Sequence, residues 1–262
     1  MTRHRRLLRR AGRLAYGVLL ALILLYLIAP SVVVILLSFS ADQFIAFPPH
    51  TWGLDQYSAL LEGGDWLAPL LRSLAVASIA AAIATAAGVA ATLALERTHI
   101  RGKALVQFLG IGPLVAPAVA YAVALYALFA TLRMLGTPQA LILAHATMAV
   151  PYVLLITGAA ITRIPPELER AAMSLGAGRL RAWREITLPI LAPALLASAV
   201  FAFITSFDEA VVSSFLGYET LPVAIFNSVR YGVNPVIMAI ATLLTLATVG
   251  LLAVSMLLRR SK

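Results

Sequence analysis

The sequence predicts an all-α membrane protein, a helical bundle of six spans. The first observation behind this is composition. Of 262 residues, 61% are hydrophobic and 12% charged, and the mean hydropathy is +0.95. A soluble domain of this size cannot bury so much apolar surface, so lipid must solvate it. The second is run length: six apolar stretches reach the roughly 20 residues a helix needs to cross a bilayer. They lie at about 14–38, 68–95, 105–131, 138–161, 190–212 and 235–258. The third is where the charges fall. The net charge of +9 comes from Lys and Arg placed between and beside these runs, which suits orientation in a membrane rather than a nucleic-acid-binding face. There are no cysteines, which excludes disulfides and thiolate metal sites.

Taken in order, residues 1–13 form a basic tail before the first span. The apolar run that follows exceeds the roughly 7–15 residues of a signal-peptide core, so an uncleaved span is expected. The loop 39–67 has no Lys or Arg. In it, Thr51 and Asp55 can cap or begin a short helix that carries Trp52, Tyr57 and Leu60 at an interface. The second span is rich in Ala, Ser, Thr and Gly, which lets neighbouring helices approach closely inside a bundle. Pro113, Pro117 and Pro151 fall within later spans and predict kinks. His145, in the fourth span, is read as packed and hydrogen-bonded rather than as a proton relay. The fifth span is the least regular, because Asp208 and Glu209 interrupt it. No internal repeat is visible, and no connection is long enough for a further soluble domain.

Orientation follows from the loops. With the N-terminus cytoplasmic, seventeen of the twenty Lys and Arg residues lie inside, and only Arg72, Arg133 and Arg230 lie outside. That asymmetry predicts both termini, the 96–103 loop and the 162–188 loop on the cytoplasmic side.

The 162–188 loop is the polar exception in the chain. Pro165 and Pro166 suit the first turn of a helix, with Glu167 and Glu169 near the positive end of its dipole. Leu168, Ala171, Ala172 and Leu175 form a narrow apolar face at helical spacing. Gly176-Ala177-Gly178 stops the helix. A second short helix from Arg179 to Leu188 places Leu180 and Trp183 toward the membrane boundary, with Arg179, Arg181 and Arg184 at the headgroups. Pro189 opens the next span.

These residues resemble the EAA loop of ABC importer permeases, whose pattern is E-A-A, three residues, G, nine residues, I-x-L-P. Ala171, Ala172, Gly176, Ile186, Leu188 and Pro189 fall on it, while Arg170 stands where the pattern has Glu and Glu169 precedes it. The segments 143–155, 201–212, 219–223 and 234–244 are similar to those of spermidine/putrescine-type permeases, particularly the second of their two permease subunits. The resemblance implies the six-span type I ABC importer permease fold (MetI-like) and a bacterial inner-membrane location. It implies a coupling loop made of Glu169, Arg170, Ala171, Ala172, Leu175, Gly176, Ile186, Leu188 and Pro189, which docks on an ATPase. The implied partners are two ATPase subunits, a second homologous permease, an extracytoplasmic solute-binding protein and membrane lipid, with no nucleic acid. ATP would bind on the partner, and this chain would carry no cofactor, metal or catalytic residue. The G-x-x-x-x-G-K-[ST] and H-E-x-x-H motifs are absent, in keeping with a transport subunit that is not an enzyme.

Asp208 and Glu209 can attract a cationic solute to the pathway, or they can serve structure by capping a helix or pairing with Arg230. An ion-coupled secondary transporter is the rival class, but it offers few ionisable groups at mid-membrane depth. Within the importer class, an amino acid derivative or a phosphonate is the alternative solute.

Overall fold

The computed structural model describes residues 3–62, 66–232 and 234–260. Lys262 and the side chains of Arg3, Arg5, Arg6, Arg9, Arg10, Arg259 and Arg260, counted above on the cytoplasmic side, lie outside the described part. The fold is all-α; among the described residues the only β-type pairing is an isolated bridge between Ser40 and Trp52. The chain divides into two compact units, Met1–Asp65 with Ser228–Lys262, and Trp66–Asn227.

In the first unit, α1 (Arg3–Ser38) takes up both the basic tail and the first predicted span. It packs on α12 (Val236–Arg260), which also packs on the short α2 (Asp55–Glu62). The segment between α1 and α2 is tied to itself by hydrogen bonds. The Asp42 carboxylate accepts from the His50 amide at 2.8 Å, the Thr51 amide at 3.2 Å and the Thr51 hydroxyl at 2.5 Å. Those bonds, the Thr51 hydroxyl first and the His50 amide next, hold its pKa below the usual aspartate value. Two expectations change here. Thr51 closes this loop and does not cap α2, and Tyr57 turns inward to donate to the Ser38 hydroxyl at 2.8 Å instead of lying on an outer surface.

The second unit is built on α3 (Leu67–Arg97), α6 (Pro138–Ile161) and α9 (Leu188–Phe207). The small residues of α3 do what their size predicts. Ala77, Ala80, Ala81, Ala84 and Gly88 are buried, and a Cβ on Gly88 would come within 2.6 Å of the Val153 side chain. Without a hydrophobic drive between helices in lipid, such close approach is what packs them. Thr157 donates to the Val153 carbonyl, so the buried 2.8 Å bond between Thr92 and Thr157 is donated by Thr92.

The third predicted span is not one rod. It consists of α4 (Lys103–Val115) and α5 (Ala118–Thr131), which meet at 107°. Ala116 and Pro117 between them are both extended (ψ 134° and 131°), because a proline pushes its predecessor out of the helical region. The α4 arm packs on α6, and α5 packs on α10 (Val211–Leu216), which is followed along the chain by α11 (Leu221–Tyr231).

The fifth span also differs in extent. Helical structure is continuous from Arg179 to Phe207, through α8 (Arg179–Ala182) and a π-turn (Trp183–Thr187) into α9. The expected separate second helix of the 162–188 loop is therefore the first part of this rod. Pro189 explains the π-turn: it has no N–H to offer the Glu185 carbonyl, and the Leu188 N–H bonds back to Trp183 instead. At the other end α9 stops at Phe207, short of the expected 212. Two carboxylates disfavour the negative end of one helix dipole and favour the positive end of the next.

By length and hydropathy, four described helices can each cross a membrane, and the bent α4–α5 pair makes up to five. The apolar stretch Val236–Gly250 of α12 falls short of that length among the described residues.

Candidate coupling site

Pro165, in extended conformation (ψ 127°), turns the chain out of α6, and Pro166 begins α7 (Pro166–Ser174). The helix closes on Gly176, whose φ of +93° is left-handed. The Ala177 amide reaches the Ala172 carbonyl at 3.1 Å and the Gly176 amide reaches Met173 at 3.0 Å. That pair of bonds is a complete Schellman closure. A glycine is required here because a side chain would strain the backbone, although open space surrounds the position.

The predicted apolar face is present and largely uncovered. Leu175 is 90% exposed and Leu168 43%; Ala171 is exposed and Ala172 half-buried. The face forms a low ridge with no cover from the unit that carries it.

Glu169 points the other way. Its carboxylate is buried and accepts from Arg97 Nε at 2.9 Å, Thr187 Oγ1 at 2.7 Å and Trp183 Nε1 at 3.1 Å. The Arg97 guanidinium also donates to the carbonyls of Ile164 at 2.7 Å and Ile161 at 3.3 Å. One carboxylate thus joins α7 to the end of α3, the end of α6 and the π-turn that leads into α9. Sequence reasoning placed Glu169 on the loop but missed Arg97, Trp183 and Thr187 as its partners. The one sequence cue is an arginine at the close of a span.

Arg170 is on the exposed side, 2.6 Å from Glu167. The end of the motif serves packing. Leu188 lies against the core cluster of Leu93, Ile161, Ile164 and Leu191, as does Trp183. Ile186 is half-buried, and Pro189 sits in the first turn of α9. Among the residues expected on the docking surface, the structure therefore exposes Arg170, Ala171, Leu175, Gly176 and Pro189, leaves Ala172 and Ile186 half-buried, and turns Glu169 and Leu188 toward the body.

Asp208 and Glu209 are likewise separated in role. Asp208 ends α9 and is exposed. The Glu209 carboxylate accepts from the Val212 amide at 2.7 Å and starts α10. Behind this break lies His145, buried, with Nδ1 2.8 Å from the Ser206 hydroxyl and Nε2 3.2 Å from that of Ser213. Ser213 donates its proton to the Glu209 carbonyl, so it must accept from His145 Nε2–H, and Ser206 donates to Nδ1. Both ring nitrogens are engaged in fixing α6 to the α9–α10 break, which agrees with a packed, hydrogen-bonded histidine.

A bundle of this kind, with a helix–turn–helix held against three span ends, defines a membrane-embedded transport subunit. Residues 84–262 match the family described as binding-protein-dependent transport system inner membrane component, and the chain belongs to it. It is 31% identical to the spermidine/putrescine transport system permease protein PotC of Haemophilus influenzae, over 90% of this chain and 92% of that protein. It is 33% identical to the putrescine transport system permease protein PotI of Escherichia coli K12, over 94% of this chain and 91% of that protein. Among solved structures, a bacterial ABC transporter involved in import of the acidic polysaccharide alginate shares the fold. Its TM-score is 0.74 at 15% identity, covering 99% of this chain and 98% of that one. The chain is a multi-pass inner-membrane protein.

Proposed function

We propose that this chain is one of two permease subunits of an ATP-driven importer for polyamines, with six membrane crossings and both termini cytoplasmic. The observation that carries the reading is the uncovered ridge of α7, fixed from behind by Glu169, within a chain similar along nine-tenths of its length to polyamine permeases. The ridge docks in a groove of the ATPase. ATP-driven closure of the two ATPases then moves α7, and the Glu169–Arg97 clamp passes that motion to α3, α6 and α9 together. Alternating access follows as rigid-body movement, without covalent chemistry in this chain. Six crossings are reached when the bent α4–α5 pair counts as one and α12 as the last.

Of the two outer acids, Asp208 is the one free to attract a cation, since the Glu209 carboxylate is occupied by the Val212 amide. The solute arrives from an extracytoplasmic binding protein.

The test is reconstitution with the cognate ATPase, second permease and binding protein in vesicles, followed by uptake of labelled putrescine and spermidine. ATP-dependent uptake is expected. Uptake of an amino acid or phosphonate in place of either polyamine would overturn the solute assignment. Ion-gradient-driven uptake without ATP would overturn the class.

A further inference from the structure

Beside the docking ridge, on the flank of α7 that carries Arg170, lies a crevice of about 680 Å³. One wall is the turn between α3 and α4, the other is α7 with Arg179 beyond it. Two ion pairs within the lining neutralise themselves: Arg97 with Glu169 at 2.9 Å and Lys103 with Glu96 at 3.1 Å. What remains is positive. Arg179 is exposed and has no ionic partner among the described residues. Arg170 has only Glu167, in a pair whose side chains are 63% and 67% exposed. Water screens such a pair, so Arg170 can exchange it for a better-placed acid.

Position 170 is also where the chain departs from the E-A-A pattern, with a reversed charge. A partner that grips the α7 ridge reaches this crevice along the same helix, and it meets two guanidiniums there. We propose that the ATPase segment entering this crevice carries a carboxylate that pairs with Arg170 and Arg179. This rests on the docking of α7 proposed above. A carboxylate between two guanidiniums is held by charge-assisted, potentially bidentate bonds, which fix orientation as well as affinity. The arrangement selects the cognate ATPase: one with a basic residue at that place, suited to the pattern's Glu, meets like charge and is rejected.

The experiment places a photo-crosslinking p-benzoylphenylalanine at His99, on the crevice wall, and separately at Leu175, on the ridge, in the full complex. The Leu175 probe is expected to capture the ATPase. The His99 probe is expected to capture an ATPase peptide containing Asp or Glu. Arg170→Glu with Arg179→Glu should abolish the His99 adduct and lower ATPase retention about tenfold at low salt. The deficit should shrink when salt reaches about 1 M, where the Debye length is about 3 Å. The proposal is overturned if the Leu175 probe marks the ATPase while the His99 probe marks phospholipid, nothing, or a peptide without acids. It is also overturned if charge reversal leaves retention unchanged at low salt. If the Leu175 probe fails to reach the ATPase, the docking of α7 falls and this inference falls with it.

Discussion

Replacing Glu169 by alanine removes the acceptor of three bonds at once and leaves Arg97 with a side chain only 10% exposed. Breaking a buried pair by deleting one partner costs about 3–5 kcal/mol, because the remaining charge stays desolvated. Two features set where in that range the cost falls. Arg97 retains the carbonyls of Ile164 and Ile161, which argues for the lower end. Thr187 is fully buried and loses its acceptor, which adds about 1 kcal/mol or more. A total near 4 kcal/mol corresponds to roughly a thousandfold in the unfolding equilibrium. The assay is denaturant titration of the purified protein in detergent, wild type against Glu169→Ala. An apolar pair of similar volume, Arg97→Met with Glu169→Leu, should recover most of the loss, since it strands no charge. A Glu169→Ala protein within about 0.5 kcal/mol of wild type, the ordinary scatter of surface substitutions, would refute the clamp.

Four other outcomes are expected. Gly88→Leu should lower thermal stability by about 1–3 kcal/mol through overpacking against Val153, read as a melting shift in detergent. Asp208→Asn should slow polyamine uptake at low salt and less so at high salt, while Glu209→Ala, which removes the acceptor of the Val212 amide, should act mainly through loss of the α10 start, read as assembled complex. Cysteines at Ser58 and Gln139 should label from outside and one at Ser174 should not, in a background without native cysteine; external labelling at 174 would reverse the orientation. The Asp42 carboxyl has its pKa depressed by Thr51 and then His50, so its stabilisation of the loop is present above the ordinary aspartate value and is lost as pH falls below it. Amide protection at His50 and Thr51, taken relative to the intrinsic exchange rate at each pH, should fall in that acidic window and hold steady between neutral pH and about 5, well above the ordinary aspartate pKa of about 3.9.

The long apolar helices α1, α3, α6 and α9 and the glycine stop were legible because they depend on local sums. Hydropathy adds along the chain, small residues on α3 announce close packing, and a helix that ends at Gly176 does so by local backbone geometry. What was not legible depended on distant partners. Glu167 and Glu169 look alike in a first turn, and Arg97, 72 positions away, draws one of them inward together with Trp183 and Thr187. Asp208 and Glu209 look like one acidic pair until the Val212 amide claims the second. Pro117 announces a break, but the angle of 107° is set by where α4 and α5 each find packing.

The π-turn at Trp183–Thr187 has a consequence for azimuth. A π-turn holds one residue more than an α-turn and takes it up within a wider loop of backbone. In plain α geometry an extra residue would rotate everything beyond it by about 100°. The wider turn absorbs that rotation, so α8 keeps nearly the azimuth it would have without the extra residue. Taking out one residue there would restore plain α geometry and leave Arg179 and Arg181 facing much as they do. The turn is thus a splice: the segment outside the membrane and the one inside it can differ in length by a residue and still keep a common phase.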